Sequence, residues 1–519
     1  MSEPQSRNEA LIEAIINETT YTDPPQSRNE AILKSILDET EYTEQPQSRM
    51  EDLLIQLKEY IEEGGGGGKI RLDDVDNADI TLTGTTASIT WKDPEDIIIQ
   101  EVVLAEWAGT KVVRKAGSVP TSVDDGVLIV DSTTRDEYES AGFEDEGLEY
   151  DVTYYYRFFP YTTKGLVTNG TVKEVTALAV HIYGAEWDGT STTAWTRTDE
   201  SALFTDPVPA VNNGNGSSPF DSLQPWAGMT VSERTGGTMV SIPKFWYKLS
   251  QTGNKIKVQI ADGALDGYSV SPAHMDRGDG SGERDTVYIG RYHCASDYKS
   301  KTGVKPVASI TRATARSSIH NLNSKIWQCD FAVRFTLWLL YIVEFADWNS
   351  QAKIGYGCGN NSATENMGST DGMTYHTGTN ASNRTTYGHV QYRHIEGLWD
   401  NVYDWCDGCY YNSSGLNIVL KPASFSDSTG GTLMGKPSSG YPSKFIISSD
   451  AGFPAFYPTE ASGSNSSYSC DYWYYGASYP CLCVGGGYYQ NQYYGLFCVN
   501  YTSASDTSGN VGCRLQELP

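Results

Sequence analysis

Apolar residues recur at helical spacing in three short segments at the start of the chain. Each segment belongs to a repeat of 21 residues that opens with the letters PQSR, at Pro4, Pro25 and Pro46. In each copy a serine precedes a glutamate by three residues, the arrangement in which both side chains cap the first turn of a helix. These pairs are Ser6 with Glu9, Ser27 with Glu30, and Ser48 with Glu51. Leucines and isoleucines follow on one helical face, so the pattern predicts three short helices within residues 1–63.

The three predicted helices are too short to be stable alone. Helices of about ten residues are marginal in water, and residues 1–63 also carry fifteen acidic against five basic residues. We predict that the apolar stripes mediate assembly or attachment, by packing on each other, on sister chains or on another protein. A flexible acidic tail is the alternative. The five glycines of residues 64–68 predict a flexible linker.

Apolar and polar positions alternate within residues 69–179, as in Ile80–Thr83, Ala87–Trp91 and Tyr154–Phe158. This period predicts half-buried strands, and several short strands over about a hundred residues are typical of a β-sandwich. The early Trp91 and the late tyrosine-rich strand resemble a fibronectin type III module, which implies a corner tyrosine at Tyr154. We favour a spacer role for this domain over a binding role.

The pattern becomes irregular after the predicted sandwich. Tryptophans such as Trp187 and Trp246 are scattered among Gly, Ser and Thr residues. One segment, from Asp330 to about Trp348, has the period of a helix, and its apolar residues cover most of the helix surface. We therefore predict a buried helix there. Few regular elements and many loops predict one irregular α+β domain over residues 180–519.

Charge and hydropathy narrow the range of partners. The net charge is −27, which argues against nucleic acid or an anionic membrane as the main partner. The longest apolar run, Leu337–Val343, is too short to cross a bilayer, so we expect no membrane insertion. The first residues lack the basic start and apolar stretch of a secretory signal, and we therefore expect reduced cysteines.

Ten cysteines and seven histidines are spread through the chain without a strong metal or catalytic motif. Cys406 and Cys409 have the spacing of a zinc knuckle, but Cys481 and Cys483 are separated by one residue instead of two. The sequence therefore predicts no bound metal and no cofactor. No histidine belongs to an HExxH motif, and carboxylates alone are too common to identify a glycosidase. We expect that the protein is not an enzyme.

The end of the chain is rich in tyrosine and poor in charge. Between Glu460 and Pro519 there are ten tyrosines, five charged residues and no lysine. A surface that serves only solubility carries more charge, and Tyr combined with Ser, Gly and Asn is the chemistry of an antibody paratope. Adjacent tyrosines in an extended chain cannot all be buried, because neighbours face opposite sides.

We therefore predict a binding surface in this tyrosine-rich segment. An aromatic core with glycine-rich loops is the alternative. The predicted binding residues are Asp471, Tyr472, Tyr474, Tyr475, Tyr488, Tyr489, Asn491, Tyr493, Tyr494, Asn500 and Tyr501.

Three segments of the last domain resemble signatures of one known fold. Residues 397–405 (GLWDNVYDW) resemble the GNVWEW signature of the formylglycine-generating-enzyme type of C-type lectin fold. Residues 484–488 (VGGGY) and 511–515 (VGCRL) resemble the GGSW and GFRL segments that close that fold. The resemblance implies a C-type lectin-like fold for residues 180–519. It does not imply sugar or calcium binding, because fold alone does not determine function.

The chain departs from the family pattern in two respects. Asp400 replaces the first glycine of the signature, and Tyr403 replaces its tryptophan. Residues 488–492 lack the cysteine pair that the family's enzyme carries soon after its glycines. We predict that the aromatic residues from Trp399 to Trp405 are core and that Arg514 is a structural hydrogen-bond donor.

Further segments are similar to tail-fibre-like proteins of gut bacteriophages. They are the PQSR repeats and residues 182–187 (IYGAEW), 195–197 (WTR) and 343–348 (VEFADW). Some relatives are variable proteins of diversity-generating retroelements, in which template adenines are randomised. Asn codons can then become Tyr, Ser, Asp or Cys, but not Trp or Gln. The resemblance implies variation within residues 471–501, with Trp473, Gln490 and Gln492 fixed.

Together these patterns imply a multidomain protein of the virion, in a tail tip or fibre, made in the host cytoplasm. Its parts are short α-helical repeats, a fibronectin type III-like β-sandwich and an irregular α+β C-type lectin-like domain. The expected function is to bind a receptor, protein or glycan, on the bacterial host. Residues 1–63 are expected to join tail or baseplate proteins, and the resemblance to phage fibres implies a homotrimer. A purely structural virion protein and a glycan-degrading or formylglycine-generating-like enzyme are the alternatives.

Overall fold

The computed structural model describes residues 71–99, 102–209, 216–359, 362–371, 373, 388–489 and 494–519. The predicted helical repeats and glycine linker lie outside these ranges. Within them the chain is mostly β-structure, with thirty strands and three α-helices. It divides into two compact units between Ala179 and Val180. Among the described helices, none combines the length and hydropathy needed to cross a membrane.

The described part of the first unit is built from nine antiparallel strands. They are β1 (Asp76–Thr83), β2 (Thr86–Lys92), β3 (Ile97–Ile99), β4 (Val102–Ala105), β5 (Trp107–Ala116), β6 (Val127–Ser132), β7 (Phe143–Asp145), β8 (Thr153–Thr162) and β9 (Thr171–Thr176). One sheet has the order β1-β2-β7, a second has the order β6-β5-β8-β9, and β3 pairs with β4.

The two larger sheets of this unit share one apolar core. Trp91 of β2 packs with Val112 of β5 and with Phe158 of β8, and all three are buried. Buried and less buried residues alternate along β2, as the sequence predicts for a half-buried strand. The hydroxyl of Tyr154 accepts a hydrogen bond from the backbone N–H of Glu149, 3.2 Å away. This bond ties the start of β8 to the turn before it.

The described part of the second unit contains the remaining strands and the helices. The strands are β10 (Ile182–Trp187), β11 (Trp195–Asp199), β12 (Val231–Arg234), β13 (Gly237–Pro243), β14 (Trp246–Thr252), β15 (Lys255–Ala261), β16 (Ser269–Val270), β17 (Thr286–Gly290), β18 (Ile326–Gln328), β19 (Gln391–Tyr392), β20 (Ile395–Glu396), β21 (Tyr403–Cys406), β22 (Cys409–Asn412), β23 (Gly415–Ile418), β24 (Thr432–Gly435), β25 (Lys444–Ser448), β26 (Ala455–Glu460), β27 (Cys481–Val484), β28 (Val499–Thr502), β29 (Val511–Gly512) and β30 (Leu515–Glu517). The helices are α1 (Arg312–His320), α2 (Phe331–Phe345) and α3 (Ser350–Lys353).

Helix α2 forms the centre of this unit. Asp330 caps its start by accepting from the backbone N–H of Val333, and all fifteen helical residues are buried. The predicted buried helix is therefore confirmed. It ends at Phe345 rather than near Trp348, because Ala346 adopts a left-handed conformation with φ of 49°.

Two five-stranded sheets, β11-β10-β15-β14-β16 and β12-β13-β17-β30-β18, are formed by the described strands around this helix. A four-stranded sheet, β28-β27-β21-β29, carries the tyrosine-rich end of the chain. Leu482 lies in the larger core on one face of that sheet, while Trp405 and Cys483 lie in a smaller core on the other face. Trp399, Tyr403 and Trp405 are buried, so their predicted role as core is confirmed.

Candidate functional site

Five tyrosine rings form a continuous row at the end of the second unit. The ring centroids of Tyr441 and Tyr472 lie 5.1 Å apart, and those of Tyr472 and Tyr474 lie 4.1 Å apart. Tyr474 meets Tyr501 edge-on at 5.9 Å, and Tyr501 stacks on Tyr479 at 5.1 Å with 15° between the ring planes. We call these five residues the tyrosine row.

The backbone under the row is fixed by bonds to two neighbouring segments. The N–H and C=O of Trp473 both pair with Gly440 at 2.9 Å, and the N–H of Tyr474 donates to the C=O of Val499 at 2.7 Å. Trp473 is buried, and its indole N–H donates to the hydroxyl of Tyr411 at 3.0 Å. The side chain of Trp473 is directed into the core, and those of its neighbours Tyr472 and Tyr474 are in the row.

Two members of the row, Tyr441 and Tyr479, are absent from the predicted binding residues. The side chain of Tyr479 is 46% exposed, and its N–H closes a turn on the C=O of Gly476. A Cβ at Gly476 would lie 3.0 Å from the ring of Tyr501, so the glycine allows the turn to approach that ring. A turn could have been predicted from the small residues Gly476, Ala477 and Ser478, and this turn would have indicated that Tyr479 is exposed. Tyr441 lies far from the segment in sequence and has no comparable signal.

The pair Tyr474 and Tyr475 diverges, as adjacent residues in an extended chain do. The hydroxyl of Tyr474 lies 3.1 Å from that of Tyr494. The hydroxyl of Tyr475 instead donates to the C=O of Asn412 at 2.8 Å, and its ring packs edge-on against Tyr411. Tyr475 is therefore outside the tyrosine row.

The pair Tyr488 and Tyr489 does not diverge, because it lies in a turn rather than in an extended segment. The two ring centroids are 5.3 Å apart. Tyr489 is 51% exposed, and its hydroxyl accepts a hydrogen bond from the side-chain amide of Asn510. The pair follows Gly486, where a Cβ would lie 3.0 Å from that of Tyr494.

Two predicted binding residues, Asp471 and Asn500, lie outside the tyrosine row. Asp471 is 2% exposed, and its carboxylate accepts from the backbone N–H groups of Gly495 at 2.8 Å and Phe497 at 2.9 Å. It lies beneath the surface and has a structural role instead. In the strand register Tyr501 pairs with Leu482, and Asn500 pairs with Cys483. The side chains of Tyr501 and Asn500 therefore project from opposite faces of the sheet, so Asn500 does not lie on the face of the tyrosine row. Asn491 and Tyr493 lie outside the described residues.

Burial raises the pKa of Asp471 to about 7, although the N–H groups of Phe497 and Gly495 oppose that shift. A carboxyl whose pKa is higher in the folded than in the unfolded chain stabilises the fold below its unfolded pKa. That contribution is lost as the pH rises from about 4 through about 7. The protonated form of Asp471 is therefore the more compatible with the fold, because burial disfavours the ionised carboxylate more than the N–H groups of Gly495 and Phe497 favour it.

We expect Asp471→Asn to remove this pH dependence. Asp347 and His274 also have shifted pKa values, about 6 and about 4, and both contribute to the pH dependence of the wild type and of the variant. The quantity to compare is therefore the difference in unfolding free energy between the variant and the wild type, in which these contributions cancel. That difference should change by about 1.4 kcal/mol per pH unit between about pH 4 and 7. Urea unfolding at several pH values measures it, and a difference that stays constant would contradict the assignment.

A buried ionic cluster includes a residue of β21 in the four-stranded sheet. Asp404 of β21 lies 2.8 Å from Nδ1 of His293 and accepts from Nε of Arg514 at 3.1 Å. The other four N–H groups of Arg514 donate to the backbone carbonyls of Gly290, Arg291, Glu396 and Gly397. These charges hold the pKa of Asp404 well below its usual range despite burial. The predicted structural role of Arg514 is confirmed.

All ten cysteines lie in the described ranges, and each is a buried free thiol. The Sγ atoms of Cys406 and Cys409 are 3.8 Å apart. Among the described residues, the one cluster with metal-ligating geometry is Cys358, His389 and Asp400, which does not include these cysteines. The zinc-knuckle spacing in the sequence therefore does not correspond to a four-cysteine site.

Comparisons of the chain with protein-family models and with curated protein sequences find no match. The geometry of the site is therefore the basis for a functional assignment.

Proposed function

We propose that this chain is an adhesin of a bacteriophage virion, which binds a receptor on the bacterial surface through the tyrosine row and Tyr489. The main support for the proposal is the row itself, which consists of five packed tyrosine rings. Tyr479 of the row is 46% exposed, and Tyr489 outside the row is 51% exposed. The similarity of other segments to phage tail-fibre-like proteins supplies the biological setting.

The row has the physical properties of a preorganised recognition surface. Tyrosine gives a large contact area at low cost in side-chain entropy. Because the rings of the row already pack on one another, little further ordering is needed when a partner binds, and less binding energy is lost. The hydroxyl groups add donors and acceptors that suit either a protein or a glycan receptor.

The arrangement of the sheet supports a C-type lectin-like fold for this unit. The three segments that resemble the family signatures are far apart in sequence, yet β21 pairs with β27 on one side and with β29 on the other. A Cβ at Gly486 would lie 2.9 Å from the C=O of Trp399. The glycine-rich segment therefore needs its small residues to pack against the 397–405 segment.

The first unit fits a fibronectin type III-like spacer. Its three-stranded and four-stranded sheets enclose Trp91, and Tyr154 bonds to a backbone N–H five residues upstream. A hydroxyl bond of this kind near the start of a late strand is the tyrosine corner of such sandwiches. In this proposal the unit separates the binding domain from the particle.

The pattern of burial fits diversification of the surface. Adenine randomisation of Asn codons cannot yield Trp, and Trp473 is buried. Tyr472 and Tyr474 beside it, which such randomisation can yield, are less buried. A scaffold that presents changeable residues must keep its core independent of them.

We expect the full-length chain to form a homotrimer, through the apolar stripes predicted in residues 1–63. These residues would also join tail or baseplate proteins. Light scattering at micromolar concentration measures the state, and a chain of 57.0 kDa that remains monomeric would contradict the proposal.

Binding of the labelled full-length protein to a panel of bacterial strains tests the proposed function. Flow cytometry should detect saturable binding to a narrow subset of strains, and excess unlabelled protein should compete for it. Binding that is absent from every strain, or equal on all of them, would contradict an adhesin with a specific receptor.

A further inference from the structure

Three metal-ligating side chains meet in the second unit, away from the tyrosine row. Cys358 lies in the turn after α3, His389 precedes β19, and Asp400 lies in the loop before β21. One ligand atom from each residue lies within 4.8 Å of the other two, and all three residues are buried. The residues come from three separate places in the chain, so the fold, and not a local motif, brings them together.

The orientation of His389 suits a metal ligand. Its Nε2 lies 3.1 Å from the backbone carbonyl of Asn366, to which it donates, while Nδ1 lies 3.1 Å from Oδ2 of Asp400. A metal-bound histidine commonly donates its other ring N–H to a carbonyl, which fixes the tautomer and directs the free lone pair at the metal. With zinc bound, that lone pair would belong to Nδ1, which lies on the side of the ring that faces the carboxylate of Asp400.

The carboxylate of Asp400 is only partly hydrogen-bonded. Oδ2 accepts from the backbone N–H groups of Cys358 and Val390, at 3.0 and 3.1 Å. The other oxygen, Oδ1, is buried and has no hydrogen-bond partner among the described residues. An unsatisfied buried carboxylate oxygen is costly, and a bound cation would offset that cost.

Two glycines keep the backbone close to this carboxylate. Gly357 has φ of 55°, and a Cβ added to it would overlap the carboxylate of Asp400. A Cβ at Gly397 would lie 3.0 Å from Oδ1. The sequence thus preserves space around an acid that replaces the first glycine of the family signature.

We propose that Cys358, His389 and Asp400 bind a zinc ion that fastens the turn after α3 to the loop before β21. Sulfur, imidazole and carboxylate are ligands that zinc accepts together. With metal–ligand distances of about 2.0–2.3 Å, tetrahedral ligands lie about 3.3–3.7 Å apart. The observed spacing therefore needs only small side-chain shifts. Oδ1 or a water can complete the fourth position.

The site is structural in this proposal and does not depend on the adhesin function. The loop that carries Asp400 leads directly into β21, which belongs to the four-stranded sheet of the tyrosine-rich segment. Zinc would displace two protons, the one between Nδ1 of His389 and Oδ2 of Asp400 and the one on the thiol of Cys358, because only the thiolate binds the metal. The fold should consequently be more stable with zinc than after its removal.

The test uses the full-length protein, stripped with a chelator and titrated with zinc and, separately, with cobalt(II). We expect one zinc ion per chain by elemental analysis, a higher melting temperature, and a thiolate-to-cobalt charge-transfer band in the near ultraviolet. Cys358→Ala should remove the band and weaken zinc binding at least tenfold. Cys470→Ala, which removes another buried thiol, should leave both unchanged.

His389→Gln provides a second variant, whose effect on zinc affinity should match that of Cys358→Ala. If Cys358→Ala fails to fold, Cys358→Ser keeps the size of the side chain and takes its place, and loss of the thiolate band in that variant assigns the sulfur ligand to Cys358. Absence of the band from the wild-type protein would overturn the proposal. Zinc binding that is undiminished in Cys358→Ala would also overturn it, whatever the result for Cys470→Ala.

Discussion

Replacing both Tyr479 and Tyr489 by alanine should weaken binding to the host surface a hundredfold or more. Aromatic anchors at the centre of an interface each cost about 2 kcal/mol or more when truncated, and about 1.4 kcal/mol corresponds to a tenfold change in affinity. These two side chains are 46% and 51% exposed, so their loss should remove contact with the receptor and leave the core intact.

Tyr150→Ala is the matched control, because Tyr150 is 49% exposed but belongs to the first unit. Binding of this variant should equal that of the wild type. The comparison requires cell-binding curves and thermal melting of all three proteins. Unchanged binding by the double variant would remove these tyrosines from the site, and equal losses of binding and folding would identify them as structural.

Arg514→Met should be among the most destabilising substitutions in the second unit. The methionine leaves Asp404 as a buried carboxylate with His293 as its remaining close partner, and it also leaves four backbone carbonyls without their donor. Removal of one partner from a buried ion pair costs about 3–5 kcal/mol. A typical domain is stable by about 5–15 kcal/mol, so a large part of the total is lost.

Lys444→Met is the control, since Lys444 and Glu460 form an ion pair with largely exposed side chains. It should cost no more than about 1 kcal/mol. Arg514→Lys should fall between the two, because lysine keeps the charge but cannot supply five donors in a fixed plane. Urea unfolding measures all three variants, and a cost of Arg514→Met no larger than that of Lys444→Met would contradict the role assigned to the cluster.

Features that depend on local periodicity could be predicted from the sequence. Apolar residues cover most of the surface of helix α2, which indicates burial whatever its partners are. Its last turn could not be placed, because the left-handed conformation of Ala346 has no clear signal in a residue other than glycine. The alternating strands of the first unit were predictable for the same reason, since period two shows which face is buried.

The candidate site was only partly predictable, because its geometry depends on contacts distant in sequence. Asp471 belongs to the tyrosine-rich segment, but tertiary packing turns its carboxylate inward to two backbone N–H groups. Tyr441 reaches the row from a loop about thirty residues upstream. Cys358, His389 and Asp400 have no motif spacing, so only the folded chain brings them together.

Hydroxyl-radical footprinting of the free and receptor-bound protein tests whether the receptor contacts the tyrosine row and Tyr489. The full-length chain is labelled alone and on host-cell envelopes, and modification of each tyrosine is quantified by mass spectrometry. Tyr479 and Tyr489 should be protected on binding, while Tyr150, equally exposed in the free protein, should remain reactive. Protection elsewhere in the chain, with Tyr479 and Tyr489 as reactive as before, would contradict the account.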